Sequence, residues 1–189
     1  MKGRESGMPS QDIWERFFST AKTLQIMGLD ESVSDVLEFG CGYGTFTIPA
    51  AKIISGVVHA IDIDPDMAKR TREDAHEAGL KNISVTLRDF VADGTGLSDV
   101  SVDYVMLFNI LHIEHPEKLL QEALRVLKGD GKLGIIHWRY DDTTPRGPSM
   151  TIRPKPEQCI AWAEAVGFTK PRQIELPPYH YGIFMRKEK

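Results

Sequence analysis

The sequence predicts an α/β fold, a mostly parallel sheet covered by helices on both faces. Three observations carry that expectation. Nearly continuous apolar runs alternate with helical periodicity from Val33 to Trp138. A glycine-rich turn, Gly40-Cys41-Gly42-Tyr43-Gly44, joins the first run to the first of the intervening helices, and the chain closes on two strand-like runs with no helix between them. Continuous apolar strands mark a sheet buried on both faces, and right-handed crossovers fix its winding. Ligands then belong at the strands' carboxyl ends.

Taken in order, Ser10 is placed to cap a leading helix whose Trp14, Phe17, Phe18, Ala21 and Leu24 share one face, ending near Gly28. A strand is expected over 33–39, a helix over 45–54 with a bent or late start at Pro49, and a strand over 57–63. Asp64 and Pro65 suit the N-cap and first position of the next helix, and Gly79 stops it. A strand over 83–88 leads into 89–100, whose glycines and aspartates predict a long loop with at most a short helix. The run 102–108 is the most apolar strand. Leucines at 119, 120, 124 and 127 predict a helix over 116–128, ended by Gly129-Asp130-Gly131 and followed by a strand over 132–138. Pro145, Pro148, Pro154 and Pro156 mark an irregular connector over 141–155, before a helix from about 156 to 166 closed by Gly167. Strands over 168–176 and 179–186, joined across Pro177-Pro178, complete an antiparallel edge hairpin.

With 189 residues the chain suits one domain, residues 1–189, with a leading helical segment over 1–30. A formal charge of −4 offers no basic footprint for nucleic acid and favours a small-molecule partner. Cys41 and Cys159 have no CxxC spacing, which excludes a cysteine-rich zinc module and suits a reducing cytoplasm. Met1-Lys2-Gly3-Arg4-Glu5 leads into no apolar signal core, and no apolar run reaches spanning length, so a soluble protein away from membranes is expected.

The glycine turn lets backbone amides approach a ligand, and Asp62 ends the next strand about 20 residues further on, where a carboxylate reaches ribose hydroxyls. Together they imply a nucleoside-bearing ligand. On these residues the chain resembles the class I S-adenosylmethionine-dependent methyltransferases. Glu38 to Gly44 is similar to that family's first motif, Ala60 to Met67 to the second, Arg88-Asp89-Phe90 to the third, Asp103 to His112 to the fourth and Leu119 to Trp138 to the last block. The resemblance covers most of residues 33–140. It implies a three-layer, doubly wound, Rossmann-like fold with a seven-stranded sheet in the order 3-2-1-4-5-7-6, and S-adenosyl-L-methionine as cofactor with S-adenosyl-L-homocysteine as product. It further implies that Glu38 lies near the methionine part, that Gly40, Cys41, Gly42 and Gly44 allow close approach, and that Asp62 accepts from both ribose hydroxyls. Ile63 and Met67 would flank the adenine, Asp89 and the Phe90 amide would read its edge, and Asn109 would face the amino-acid end.

Methyl transfer is an in-line displacement, so placing the nucleophile matters most and a base is optional. His112, His115 and His137 follow or end strands near the cofactor's expected place; His112 ranks above His137 as candidate base, each having the plainer reading of a cap or pocket wall. No third ligand accompanies His112 and His115, so no metal is expected. Arg146 and Arg153 in the connector either clamp an anionic substrate or keep a loop solvated, and Trp14, Phe17 and Phe18 either cover the cofactor or pack in the core. Asn109-Ile110-Leu111-His112 departs from the Asn-Pro-Pro-Tyr type similar to amino-directed nucleic-acid enzymes, which disfavours DNA methylation; too few cysteines disfavour arsenite. The expectation is a methyltransferase acting on a small molecule. RNA modification, a non-catalytic cofactor-binding protein and an NAD-dependent dehydrogenase are the alternatives, the last expecting GxGxxG where this turn reads GxGxG. The accepting atom and the oligomeric state stay open at this point.

Overall fold

The computed structural model describes residues 10–189. Met1 to Glu5, on which the expectation of no signal core rests, lie outside them. Seven strands, β1 Val36–Phe39, β2 Val58–Asp62, β3 Ile83–Leu87, β4 Val102–Phe108, β5 Leu127–Trp138, β6 Phe168–Leu176 and β7 His180–Lys187, form one sheet in the order 3-2-1-4-5-7-6. The order is the one the resemblance implies. Strands β1 to β5 pair in parallel, whereas β7 runs antiparallel to both β5 and β6. Helices α1 Gln11–Glu15, α2 Thr20–Ile26, α3 Thr47–Ile53, α4 Pro65–Glu77, α5 Phe90–Asp93, α6 Pro116–Val126 and α7 Pro156–Val166 connect and cover it.

Strand alternation divides the interior in two. Leu37, Phe39, Val105, Leu107 and Ile135 face one way, onto Leu119, Leu120 and Ala123 of α6 and Cys159 and Ala163 of α7. Val36, Val58, Tyr104, Met106 and Ile136 face the other, onto Leu24 of α2 and Ala50 and Ala51 of α3. No helix among the described residues is long and apolar enough to cross a membrane.

Local signals set most boundaries. The Asp64 carboxylate accepts from Asp66 N–H at 2.9 Å with Pro65 at the first helical position, and α4 ends at Gly79 (φ +68°). There Gly79 N–H and Leu80 N–H bond back to His76 and Ala75, a Schellman arrangement. Helix α3 starts late, at Thr47, as Pro49 suggests.

Two expectations are corrected. The leading segment is two short helices instead of one, because Phe17 and Phe18 turn inward onto rings of the sheet and α3. Phe17-Phe18-Ser19-Thr20 are all modest helix formers, so the break costs little. Strand β5 begins at Leu127 instead of Lys132: Leu127 pairs with Val102, and Lys128 to Gly131 form an irregularity before Lys132 takes up the register opposite Tyr104.

The connector over 141–155 is folded around Arg153, which neither solvates a loop nor presents itself to a substrate. Its buried guanidinium donates to the carbonyls of Pro148, Arg139, Asp141 and Arg146 and to the Thr144 hydroxyl, at 2.7 to 3.3 Å. Charge-assisted bonds of this kind are among the stronger ones, and their loss strands the carbonyls. Arg153→Ala is expected to lose about 3 kcal/mol of stability. Chemical denaturation measures that loss, and faster proteolytic cleavage within 141–155 localises it.

Candidate active site

Strand β1 ends in the glycine turn, and the turn's backbone explains its composition. Gly40, Gly42 and Gly44 all have positive φ, at +70°, +54° and +75°. A Cβ on Gly40 would stand 3.0 Å from Ile110 Cδ1, and one on Gly44 would stand 3.2 Å from Thr71 Cγ2. The turn is tied to β2 and α4: Gly40 and Cys41 N–H donate to Ile61 O, and Thr71 Oγ1 donates to Gly42 O at 2.8 Å. Cys41 is buried and its thiol pushed up in pKa, chiefly by burial, so it is a structural group.

Asp62 ends β2 and bridges the two motifs. One carboxylate oxygen accepts from Gly42 N–H at 2.8 Å and the other from Asp64 N–H at 2.9 Å. Burial nevertheless raises its pKa. Glu38 lies beneath, 3 % exposed, accepting from the Thr47 hydroxyl; burial first, and Asp62 beyond it, pushes its pKa up to about 8. Two neighbouring buried carboxylates make a place that favours positive charge.

A folded-state pKa raised to about 8 means that the contribution of Glu38 to stability is fully present below its usual range near 4.5 and is lost as pH rises through 8. Glu38→Gln is therefore expected to gain in melting temperature over the parent as pH goes from 5 to 8.5. His137 and His180, whose pKa values are lowered by burial, act in both proteins and cancel from that difference. Differential scanning fluorimetry of the two ligand-free proteins reads it; a pH-independent difference contradicts it.

At the far end of the turn, Ile63 and Met67 are half-buried at the start of α4. The Asp89 carboxylate accepts from Val91 and Ala92 N–H as the cap of α5, Phe90 N–H donates to Arg88 O at 3.1 Å, and the Phe90 ring packs on Phe39. Asp89 is thus the cap of α5 in the ligand-free chain.

Beyond Gly40 the end of β4 approaches through Ile110. Asn109 has φ +56° and gives its N–H to Ile136 O of β5, yet both polar atoms of its side chain are buried without a partner among the described residues. His112 and His137, ranked above as rivals, are neighbours instead: both are buried, with His137 Nε2 3.4 Å from His112 Nδ1. Alternation sends His137 to this face and Trp138 to the other, as expected. His115 stands apart, exposed and 3.2 Å from Glu117. No group of metal ligands occurs among the described residues. Sequence reasoning missed Thr47, Thr71 and His180; a histidine opening a strand opposite Trp138 was the available signal for the last.

The comparisons with known proteins complete the picture. A methyltransferase-domain family model matches residues 36–131, spanning the turn, Asp62, Asp89 and β4. The chain belongs to the class I S-adenosylmethionine-dependent methyltransferases. Aklanonic acid methyltransferase DauC of Streptomyces sp. (strain C5) is 30% identical over 155 residues, covering 75% of this chain and 70% of that protein. Ribosomal protein L11 methyltransferase of Caldanaerobacter subterraneus subsp. tengcongensis is 29% identical over 114 residues, 59% of this chain but only 35% of that protein. A SAM-dependent methyltransferase structure from Aquifex aeolicus superposes with a TM-score of 0.82 at 28% identity, over 95% of this chain and 94% of that one. Membership removes the dehydrogenase alternative and names the cofactor. The residues of this methyltransferase fit it: a turn whose three positive-φ glycines keep its backbone bare, buried carboxylates suited to a sulfonium metabolite, and an unpaired buried amide at Asn109.

Proposed function

We propose that this methyltransferase methylates an oxygen of a small-molecule acceptor, with the His112–His137 pair receiving the acceptor's proton. At the carboxyl ends of the strands the site residues would hold S-adenosylmethionine, which when bound would supply an electrophilic methyl group, with S-adenosylhomocysteine as the leaving group. Asp62 takes the ribose hydroxyls on the lone pairs left by its backbone bonds, and Asp89, Phe90, Ile63 and Met67 hold the adenine. Glu38, the backbone of Gly40 to Gly44 and the Asn109 amide surround the amino-acid end.

The buried histidine pair beside Asn109 is the observation that carries the choice of oxygen. With His112 Nδ1–H donated to His137 Nε2, His112 Nε2 is the atom that takes a proton, and the resulting charge is shared with a neutral neighbour. An oxygen nucleophile of high pKa needs such a group, whereas a neutral amine needs little beyond placement. The acidic net charge supports a small acceptor over RNA, and the likeness to DauC, named for aklanonic acid, supports it over a protein. The test is S-adenosylhomocysteine release with phenols, carboxylic acids, amines, ribosomal protein and short RNA as acceptors. Turnover is expected with the hydroxyl compounds. Tight cofactor binding without turnover on any of them, or a preference for amines, overturns the reading.

A further inference from the structure

His180 opens β7 opposite Trp138 of β5 and Leu176 of β6. None of it is exposed, and neither ring nitrogen has a partner among the described residues. Unpaired buried donors and acceptors are costly, and folded chains keep few without a use. Rings surround it: Trp138 at 4.2 Å between centroids, Phe18 at 4.4 Å, Trp14 at 5.9 Å and Phe17 at 6.4 Å. Tyr179 stacks on Trp138 at 6.3 Å and 28°. From Phe18 the rings continue through Phe46 to Phe108, at 5.0 and 4.9 Å, and Phe108 precedes Asn109. Packed rings thus run without a break from the terminal hairpin to the end of β4.

The two walls of this ring cluster differ. Trp138, Tyr179 and Phe108 stand on or beside the sheet. Trp14, Phe17 and Phe18 come from α1 and the turn after it, a five-residue helix whose N-cap Ser10 gives its hydroxyl to the Asp12 carboxylate and caps no backbone N–H with its side chain. Resting on the methyl-transfer reading above, we propose that this ring cluster is the part of the acceptor subsite that takes the end of a flat aromatic molecule remote from the methylated oxygen, that His180 anchors a second hydroxyl or carbonyl oxygen there, and that Trp14 and Phe17 fill the ligand's place until it binds. Burial, then the guanidiniums of Arg153 and Arg139, push the His180 pKa down to about 3. A neutral imidazole offers one N–H and one lone pair, which suits a hydroxyl or a carbonyl. A cationic amine would have to give up its hydration for that single lone pair.

The experiment titrates 2-naphthol, 2-naphthoate and 2-naphthylmethylammonium into the whole chain saturated with S-adenosylhomocysteine, by calorimetry and tryptophan fluorescence. Saturable naphthol binding is expected, roughly tenfold or more tighter than the ammonium, the factor that ~1.4 kcal/mol supplies. Trp14→Ala is expected to tighten naphthol about tenfold by removing the resident ring. His180→Leu is expected to weaken it about tenfold or more, keep the affinity for S-adenosylhomocysteine and raise the melting temperature by ~2–4 °C, whereas a purely structural histidine would lower it. Equal naphthol affinity in His180→Leu and the parent, a preference for the ammonium, or no saturable naphthol binding by the parent and Trp14→Ala overturns the subsite. Should His180→Leu fail to fold, the parent and Trp14→Ala titrations decide alone. Failure of S-adenosylhomocysteine itself to bind strikes the methyltransferase reading, and shows before any naphthol is added.

Discussion

Asp62→Ala is expected to weaken S-adenosylhomocysteine binding on the order of 100-fold, the equivalent of two hydrogen bonds to a charged group. The side chain has two tasks at once: it ties Gly42 and Asp64 together through their N–H groups and, in the proposed complex, accepts from the ribose. Stability is expected to change far less than affinity. Burial raises the Asp62 pKa, so its charge is held at a cost in the ligand-free fold, and deleting it relieves that cost while the backbone bonds are lost. Asp62→Asn, which keeps one acceptor oxygen, is expected to fall between the two proteins. Calorimetric titration gives the affinities and a thermal melt the stabilities; an Asp62→Ala protein that binds within threefold of the parent sinks the assignment.

The parts of this fold that were legible in the sequence are those decided within a few residues. Asp64-Pro65 and Gly79 bound α4 because a cap, a fixed φ and a left-handed stop are local properties. The glycine turn and Asp62 were legible for a related reason: the turn demands positive φ, and parallel pairing of consecutive strands brings a residue at the end of β2 beside the end of β1. What stayed hidden depends on partners far along the chain. The inward turn of Phe17 and Phe18 is set by Trp138, Tyr179 and Phe46. Arg153 looked like a loop cation because its carbonyl partners are set by a path the prolines allow but do not specify. His112 and His137, 25 positions apart, read as competitors until β4 and β5 lay side by side, and the burial of His180 depends on Trp14 and Phe18, more than 160 positions earlier.

That pairing makes the second large effect testable in a way a lone histidine would not allow. His112→Ala is expected to lower kcat for a phenolic acceptor roughly 10²–10³-fold, the range of general-base catalysis, while cofactor affinity is retained. His137→Phe is expected to cost less, since it removes the acceptor of the Nδ1–H but leaves the atom that meets the substrate. The protons of the pair belong to both rings, so the pH profile of kcat reports one apparent value for the couple, with activity falling as pH drops through it. The deciding comparison varies the acceptor. A phenol acidic enough to be ionised at the working pH brings no proton to remove, so the penalty for His112→Ala should shrink below about tenfold with such a compound. If the loss is the same for ionised and un-ionised phenols, His112 orients the acceptor and the base assignment fails. The burial that keeps His137 neutral leaves its Nε2 as an acceptor for His112 Nδ1–H, which fixes the direction in which His112 Nε2 takes the proton.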